Sequence, residues 1–147
     1  MLQHDGGNSM TQQVDHARDQ AKAQLQSITE MVQALHFAAK QYADFGYDMY
    51  APYEKALESI REDPLSVQVR SDWYDPGSED RSPAEYNILL CTGGPAVRII
   101  GTLSEYLEPD SAHVQYQDWG TPWTDYPLTS EEEAIVLEYA QQFYYEE

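Results

Sequence analysis

A single cysteine, Cys91, among 147 residues excludes any internal disulfide and any multi-cysteine metal site. Basic residues are scarce as well, with 8 Lys plus Arg against 26 Asp plus Glu and a formal charge of −18. That balance disfavours nucleic acid or an anionic membrane as direct partner and makes a basic protein surface the natural counterpart. The plainer reading is that the acid only keeps copies soluble and apart. No apolar run approaches the roughly 20 residues needed to span a bilayer. Met1 to Met10 lacks the basic-then-apolar profile of an export signal. A soluble protein of a reducing cytoplasm is expected.

Motifs for chemistry are equally thin. No Cys/His cluster has metal-ligand spacing, and the carboxylate pairs Asp72/Asp75 and Glu79/Asp80 lack the alternating ligands of a calcium loop. Thr92-Gly93-Gly94-Pro95 lacks the phosphate-binding lysine and precedes a strand-like run, so it reads as a turn. Cys91, His113 and Asp118 are the one combination resembling a nucleophile, a base and its orienter. Cys91 follows two leucines, however, where cysteine behaves as a small hydrophobe. Neither a cofactor nor a metal nor catalysis is expected.

What is present is acid mixed with aromatics. Residues 1–63 carry 10 acidic and 5 basic side chains, net −5, whereas residues 64–147 carry 16 acidic and 3 basic (Arg70, Arg81, Arg98), net −13. An acidic disordered tail would be poor in aromatics, but this chain has 12 Tyr, 3 Trp and 3 Phe, so it should fold.

Three regions are expected. The polar residues 1–10, with Gly6 and Gly7, read as disordered. Residues 11–62 read as helical. Val14, Ala21, Leu25, Ile28, Val32, Leu35, Ala39 and Tyr42 form a heptad seam whose missing member is Arg18, and Gly46 reads as the helix end. That seam could pack on the rest of the chain or, through Leu25, Ile28, Val32 and Leu35, on a second copy in a homodimer. A short second helix is expected from Pro52 to a stop before Pro64.

Residues 63–147 read as an acidic α+β domain. Leu65 to Ser71 alternates as a strand does, and the runs Tyr86–Cys91 and Ala96–Gly101 flank Gly93-Gly94 as a hairpin. A further strand lies near Ala112 to Trp119, giving an antiparallel sheet of about four strands. The aromatic stretch Asp118 to Pro127 reads as irregular. Thr129 with Glu132, or Ser130 with Glu133, then opens a C-terminal helix through a capping box.

The candidate partner-binding residues are Asp72, Trp73 and Asp75 in one loop, Asp118, Trp119, Trp123 and Asp125 in another, and Glu131, Glu132 and Glu133 after it. A carboxylate accepts the guanidinium fork and an aromatic face attracts a cation, so this mixture suits recognition of arginine and lysine. The competing reading puts the rings in the core and the acids in water.

Tyr86 to Gly101, followed by Tyr116 to Trp123, resembles small acidic proteins encoded by bacteriophages and prophages, over about residues 63–147. The resemblance carries no catalytic residues. It implies a role such proteins share, that of blocking host defence complexes, among them CRISPR effectors and restriction enzymes, or of redirecting host transcription. An acidic surface that imitates DNA and occupies a basic nucleic-acid groove is the expected form of that role, in the cytoplasm of an infected or lysogenic bacterium.

Overall fold

The computed structural model describes residues 4–146, with side chains from His16 onward. Helix α1 (His4–Phe45) passes through a 3-10 turn (Gly46–Met49) into α2 (Tyr50–Arg61). The chain then forms β1 (Ser66–Ser71), β2 (Pro83–Cys91), β3 (Ala96–Thr102), β4 (His113–Gln117) and β5 (Thr124–Tyr126), and ends in α3 (Ser130–Ala140). The strands pair in sequence order, every pair antiparallel, so the sheet is a meander with free edges at β1 and β5. Among the described residues no helix is long and apolar enough to cross a membrane.

Helix α1 is the spine of the core. Ala17, Ala21, Leu25, Ile28, Val32, Leu35 and Ala38 are buried along it, steps of three and four that make one stripe. Six of them, all but Ala38, share a single cluster with Ile88 of β2, Ile99 of β3, Val114 of β4 and Val136, Tyr139 and Ala140 of α3. The heptad gap at Arg18 closes because the straight helix uses Ala17 there, which frees Arg18 to reach the ring of Tyr126 (5.8 Å). Val14 lies outside the described side chains.

Leu25, Ile28, Val32 and Leu35, which could have packed on this chain or on a second copy, are therefore inside their own chain. An adjacent apolar sheet face is always present, whereas a second copy must be recruited, so the stripe packs in cis. Nor are residues 11–62 separable from the rest. Besides the shared cluster, Arg61 Nε donates to the Gln142 carbonyl (3.0 Å), and His36 meets Glu138.

The other departures are local. The helix begins at His4, so the stretch His4–Met10 expected as disordered is helical, while residues 1–3 lie outside the described residues. Extending a formed helix adds a hydrogen bond per residue with no new nucleation, which offsets Gly6 and Gly7. The sheet has five strands instead of about four, because Thr124–Tyr126 inside the stretch expected as irregular pairs with β4. Three residues between Pro122 and Pro127 are too few to show alternation, and prolines are tolerated where they flank an edge strand. Helix α2 starts two residues before Pro52, whose missing N–H falls in the first turn, where no helical acceptor is needed. Thr129 with Glu132, not Ser130 with Glu133, makes the capping box of α3.

Buried tyrosines supply much of the remaining core, and three of the four have a hydroxyl partner. Tyr86 Oη donates to the Ser111 carbonyl (2.6 Å) and Tyr145 Oη to the Ala140 carbonyl (2.5 Å), while Tyr139 bonds Asp63. Gly101, opposite Tyr86 on β3, makes room for that ring. A Cβ there would lie 2.0 Å from the Ser111 carbonyl and 2.7 Å from the Tyr86 side chain.

Two outcomes follow from this packing. Ile28→Ala should lower stability by about 2 to 5 kcal/mol in urea titrations. Its unfolding midpoint should not depend on protein concentration, as it would if the stripe held a dimer. Burial, and for Tyr139 also Asp63, pushes the hydroxyls of Tyr86, Tyr139 and Tyr145 well above the ordinary tyrosine range. Folded values above unfolded ones mean that stability is full below about pH 10 and declines as pH rises past it. Thermal melts between neutral and strongly alkaline pH should show that decline, and Tyr139→Phe should make it shallower.

Candidate functional site

The ten expected binding residues divide between two corners of the sheet. β1 ends, β2 begins and β3 ends at one end of the sheet, so Asp72, Trp73 and Asp75 lie beyond that end on the β1 edge. β4 runs to the other end before reaching Asp118 and Trp119, beside the Thr92–Gly94 turn. Three strand spacings and the strand length together separate Trp73 from Trp119 by about 25 Å. The two loops are thus separate surfaces.

Seven of the ten follow the β5 edge. Trp119 is 80% exposed at its head, next to Asp118, whose carboxylate accepts the Trp119 N–H (2.8 Å). Asp125 lies on β5, and Glu131, Glu132 and Glu133 fill the first turn of α3 just after it. The helix N-terminus, with its partial positive charge, tolerates three adjacent carboxylates. None of these five acids forms an ion pair among the described residues, whose ion pairs are His36–Glu138, Lys40–Asp44 and Arg70–Glu85. Glu132 is partly committed, since its carboxylate accepts the Thr129 N–H (2.9 Å).

Trp123 departs from expectation. Instead of awaiting a partner's cation, its ring carries the guanidinium of Arg98 at 4.0 Å from the centroid. On the β1 corner Trp73 makes no burying contact at all (103% exposed), and Tyr74 beside it is covered by Arg81 at 4.9 Å. Exposed rings also lie along the end of α1 and in the turn into α2, at Phe37, Phe45 and Tyr47.

The helices cover one face of the sheet and leave the other open. On the open face Gln68, Asn87, Arg98, Ile100, His113 and Gln115 stand side by side, and its centre is a groove of about 400 Å³. Arg98, Gln115 and Asp125 are cross-strand neighbours on β3, β4 and β5. Arg98 Nε donates to Gln115 Oε1 (2.9 Å) and Gln115 Nε2 donates to Asp125 Oδ1 (2.8 Å). Burial, and then the positive charge of Arg70, hold the Arg98 guanidinium below the ordinary arginine range. Arg70 itself pairs with Glu85 (2.5 Å), which lowers the Glu85 carboxyl. The sequence reading missed this face. Its signal was the alternation of Asn87, Arg98 and Gln115 with Ile88, Val97, Ile99 and Val114, legible only once register is known.

Cys91, His113 and Asp118 do not form a site. Cys91 pairs level with Val97, and Val97 with Tyr116, so His113 lies three residues along and two strands across, about 13 Å away. Burial raises the Cys91 thiol above its ordinary range. Among the described residues no group of three or more His, Cys, Asp or Glu side chains is placed to hold a metal ion.

The chain matches no protein-family model, no curated protein and no solved structure.

Exposed tryptophans in a field of unpaired carboxylates should discriminate between quenchers by charge. Caesium should quench the fluorescence of Trp73 and Trp119 more strongly than iodide at low ionic strength, and the difference should shrink at about 0.5 M sodium chloride as the field is screened. Trp119→Ala should alter stability by no more than about 0.5 kcal/mol.

Proposed function

We propose that this protein is a non-catalytic inhibitor of the phage type, which docks its acidic β5–α3 edge on the basic nucleic-acid-binding surface of a bacterial defence complex. The observation that carries the reading is Trp119, a large ring held in water beside Asp118 at one end of the edge, with Asp125 on β5 and Glu131 and Glu133 toward its other end, none of these acids paired among the described residues. Exposing a tryptophan forgoes about 2 to 3 kcal/mol of burial, and interfaces use such rings as anchors. The carboxylates along this edge attract a cationic surface from a distance and steer the encounter. A groove shaped for a phosphate backbone already carries the complementary charge, so an ordered acidic edge competes for it with DNA or RNA.

The charge distribution supports the same reading, since net −13 falls on the part of the chain that forms the sheet and α3. The β1 corner, with Trp73, Asp72 and Asp75, provides a second contact only if the partner spans the sheet.

The test is affinity capture from a bacterial lysate with mass-spectrometric identification. Nucleic-acid-binding proteins should be retained, released as salt rises from about 0.1 to 0.5 M, and displaced by duplex DNA. Trp119→Ala combined with Glu131→Lys and Glu133→Lys should abolish retention, whereas Asp72→Lys with Asp75→Lys should weaken it less. Retention that survives the triple substitution, or that DNA does not disturb, would overturn the proposal.

A further inference from the structure

The two free edges of the sheet are not alike. β5 has three residues and lies between Pro122 and Pro127, which cannot donate to a further strand. β1 has six residues, none of them proline or lysine, and its one charge, Arg70, is drawn to Glu85 on β2. Among the described residues no backbone group outside β2 bonds to Ser66–Ser71, so the outward N–H and C=O groups of alternate residues have no strand to pair with.

The helical layer also stops short of β1. Val67 and Val69 pair with Ile88 and Tyr86, both buried in the core, so they stand on the helix-covered face. On that face Val97, Ile99 and Val114 are at most 1% exposed, whereas Val69 is 40% exposed and Leu65, just before the strand, 60%. An apolar shelf therefore lies open beside unpaired backbone, and a further strand would cover both. Two residues past the end of β1 stands Trp73, fully exposed, with Asp72 and Asp75 close to it in sequence. A groove of about 720 Å³ opens at this end, lined by Ser71, Asp72, Trp73, Tyr74 and Glu85 among others.

We propose that β1 receives an extended, basic segment of a partner protein as a sixth, antiparallel strand. Antiparallel pairing continues the pattern of the sheet and is slightly more stable per residue than parallel pairing. The shelf selects apolar side chains at every second position of the segment. Because β1 runs toward Trp73, the N-terminal end of the segment lies there, and the ring with its neighbouring carboxylates selects arginine or lysine at that end. A second copy of this chain is the poorer occupant. Each copy carries −18, and the β1 of a second copy is preceded by Glu62 and Asp63, which antiparallel pairing would set against Asp72 and Asp75. The surface uses none of Trp119, Glu131 or Glu133, so it is independent of the β5–α3 edge.

The test adds the peptide acetyl-Arg-Arg-Val-Thr-Val-Thr-Val-amide to the full chain and follows it by nitrogen–proton NMR. Saturable shifts of the Ser66–Ser71 backbone amides and of the Trp73 indole N–H are expected, with slower hydrogen exchange at alternate β1 amides. Affinity should fall at least about tenfold when both arginines of the peptide are replaced by glutamate, when its middle valine is replaced by proline, and in Trp73→Ala. Trp119→Ala should bind the peptide unchanged. Val69→Lys, which puts a charge on the shelf, should also bind more weakly and supplies the test if Trp73→Ala does not fold. Absence of saturable shifts, shifts centred on β5 or on the open sheet face, equal binding of the proline or glutamate peptide, or wild-type affinity in Trp73→Ala would each overturn the proposal. So would a dimer of the free chain, seen by sedimentation, that Val69→Lys dissociates.

Discussion

The packing of one helical stripe on one face of a five-stranded meander determines everything else in this molecule. Ala17 to Leu35 lie against Ile88, Ile99 and Val114, and α3 completes the cover with Val136, Tyr139 and Ala140. Because α1 and α3 occupy the same side, the sheet is a two-layer structure with a single apolar face. The opposite face must be able to stand in water, and it does so with glutamine, asparagine, arginine and histidine. A dry side that binds the chain to itself thereby creates a wet side with ordered polar groups at strand spacing.

Charge is organised by the same division. No charged side chain is fully buried among the described residues, and few of the carboxylates find a cation. The acids therefore act through their summed field and contribute little through pairing. Arg98 is the exception, a cation held by an aromatic plane and an amide ladder rather than by an acid. Local geometry there works against the prevailing sign of the surface, and this separates the open face chemically from the β5 edge although Asp125 belongs to both.

Much of the fold was legible in the chain because its signals were periodic. Steps of three and four from Ala21 to Leu35, the alternation of Tyr86 to Cys91, the Gly93 turn and the Thr129 capping box each state a local preference that the tertiary structure keeps. Three matters were not legible. Whether a seam of Leu25, Ile28, Val32 and Leu35 meets its own sheet or a second copy depends on what else is apolar nearby, which periodicity does not encode. A strand as short as Thr124–Tyr126 exists only because β4 offers it partners. The candidate site suffered from the same limit, since Trp73 and Trp119 belong to similar acidic aromatic sequences yet end at opposite corners, a consequence of strand direction alone. Trp123 was read as a receptor for a foreign cation, and the interaction type was right, but the cation is the chain's own Arg98.

The two unpaired margins of the meander have a consequence for how copies behave toward one another. β1 and β5 each present backbone groups capable of recruiting another strand, with Leu65 and Val69 exposed along the first. What keeps such margins from zipping together in a crowded solution is mutual repulsion spread over the entire surface, so that no individual aspartate or glutamate is indispensable while their total is. The acidic shell thus acts as a colloidal stabiliser that tolerates drift at any one position so long as the sum is preserved.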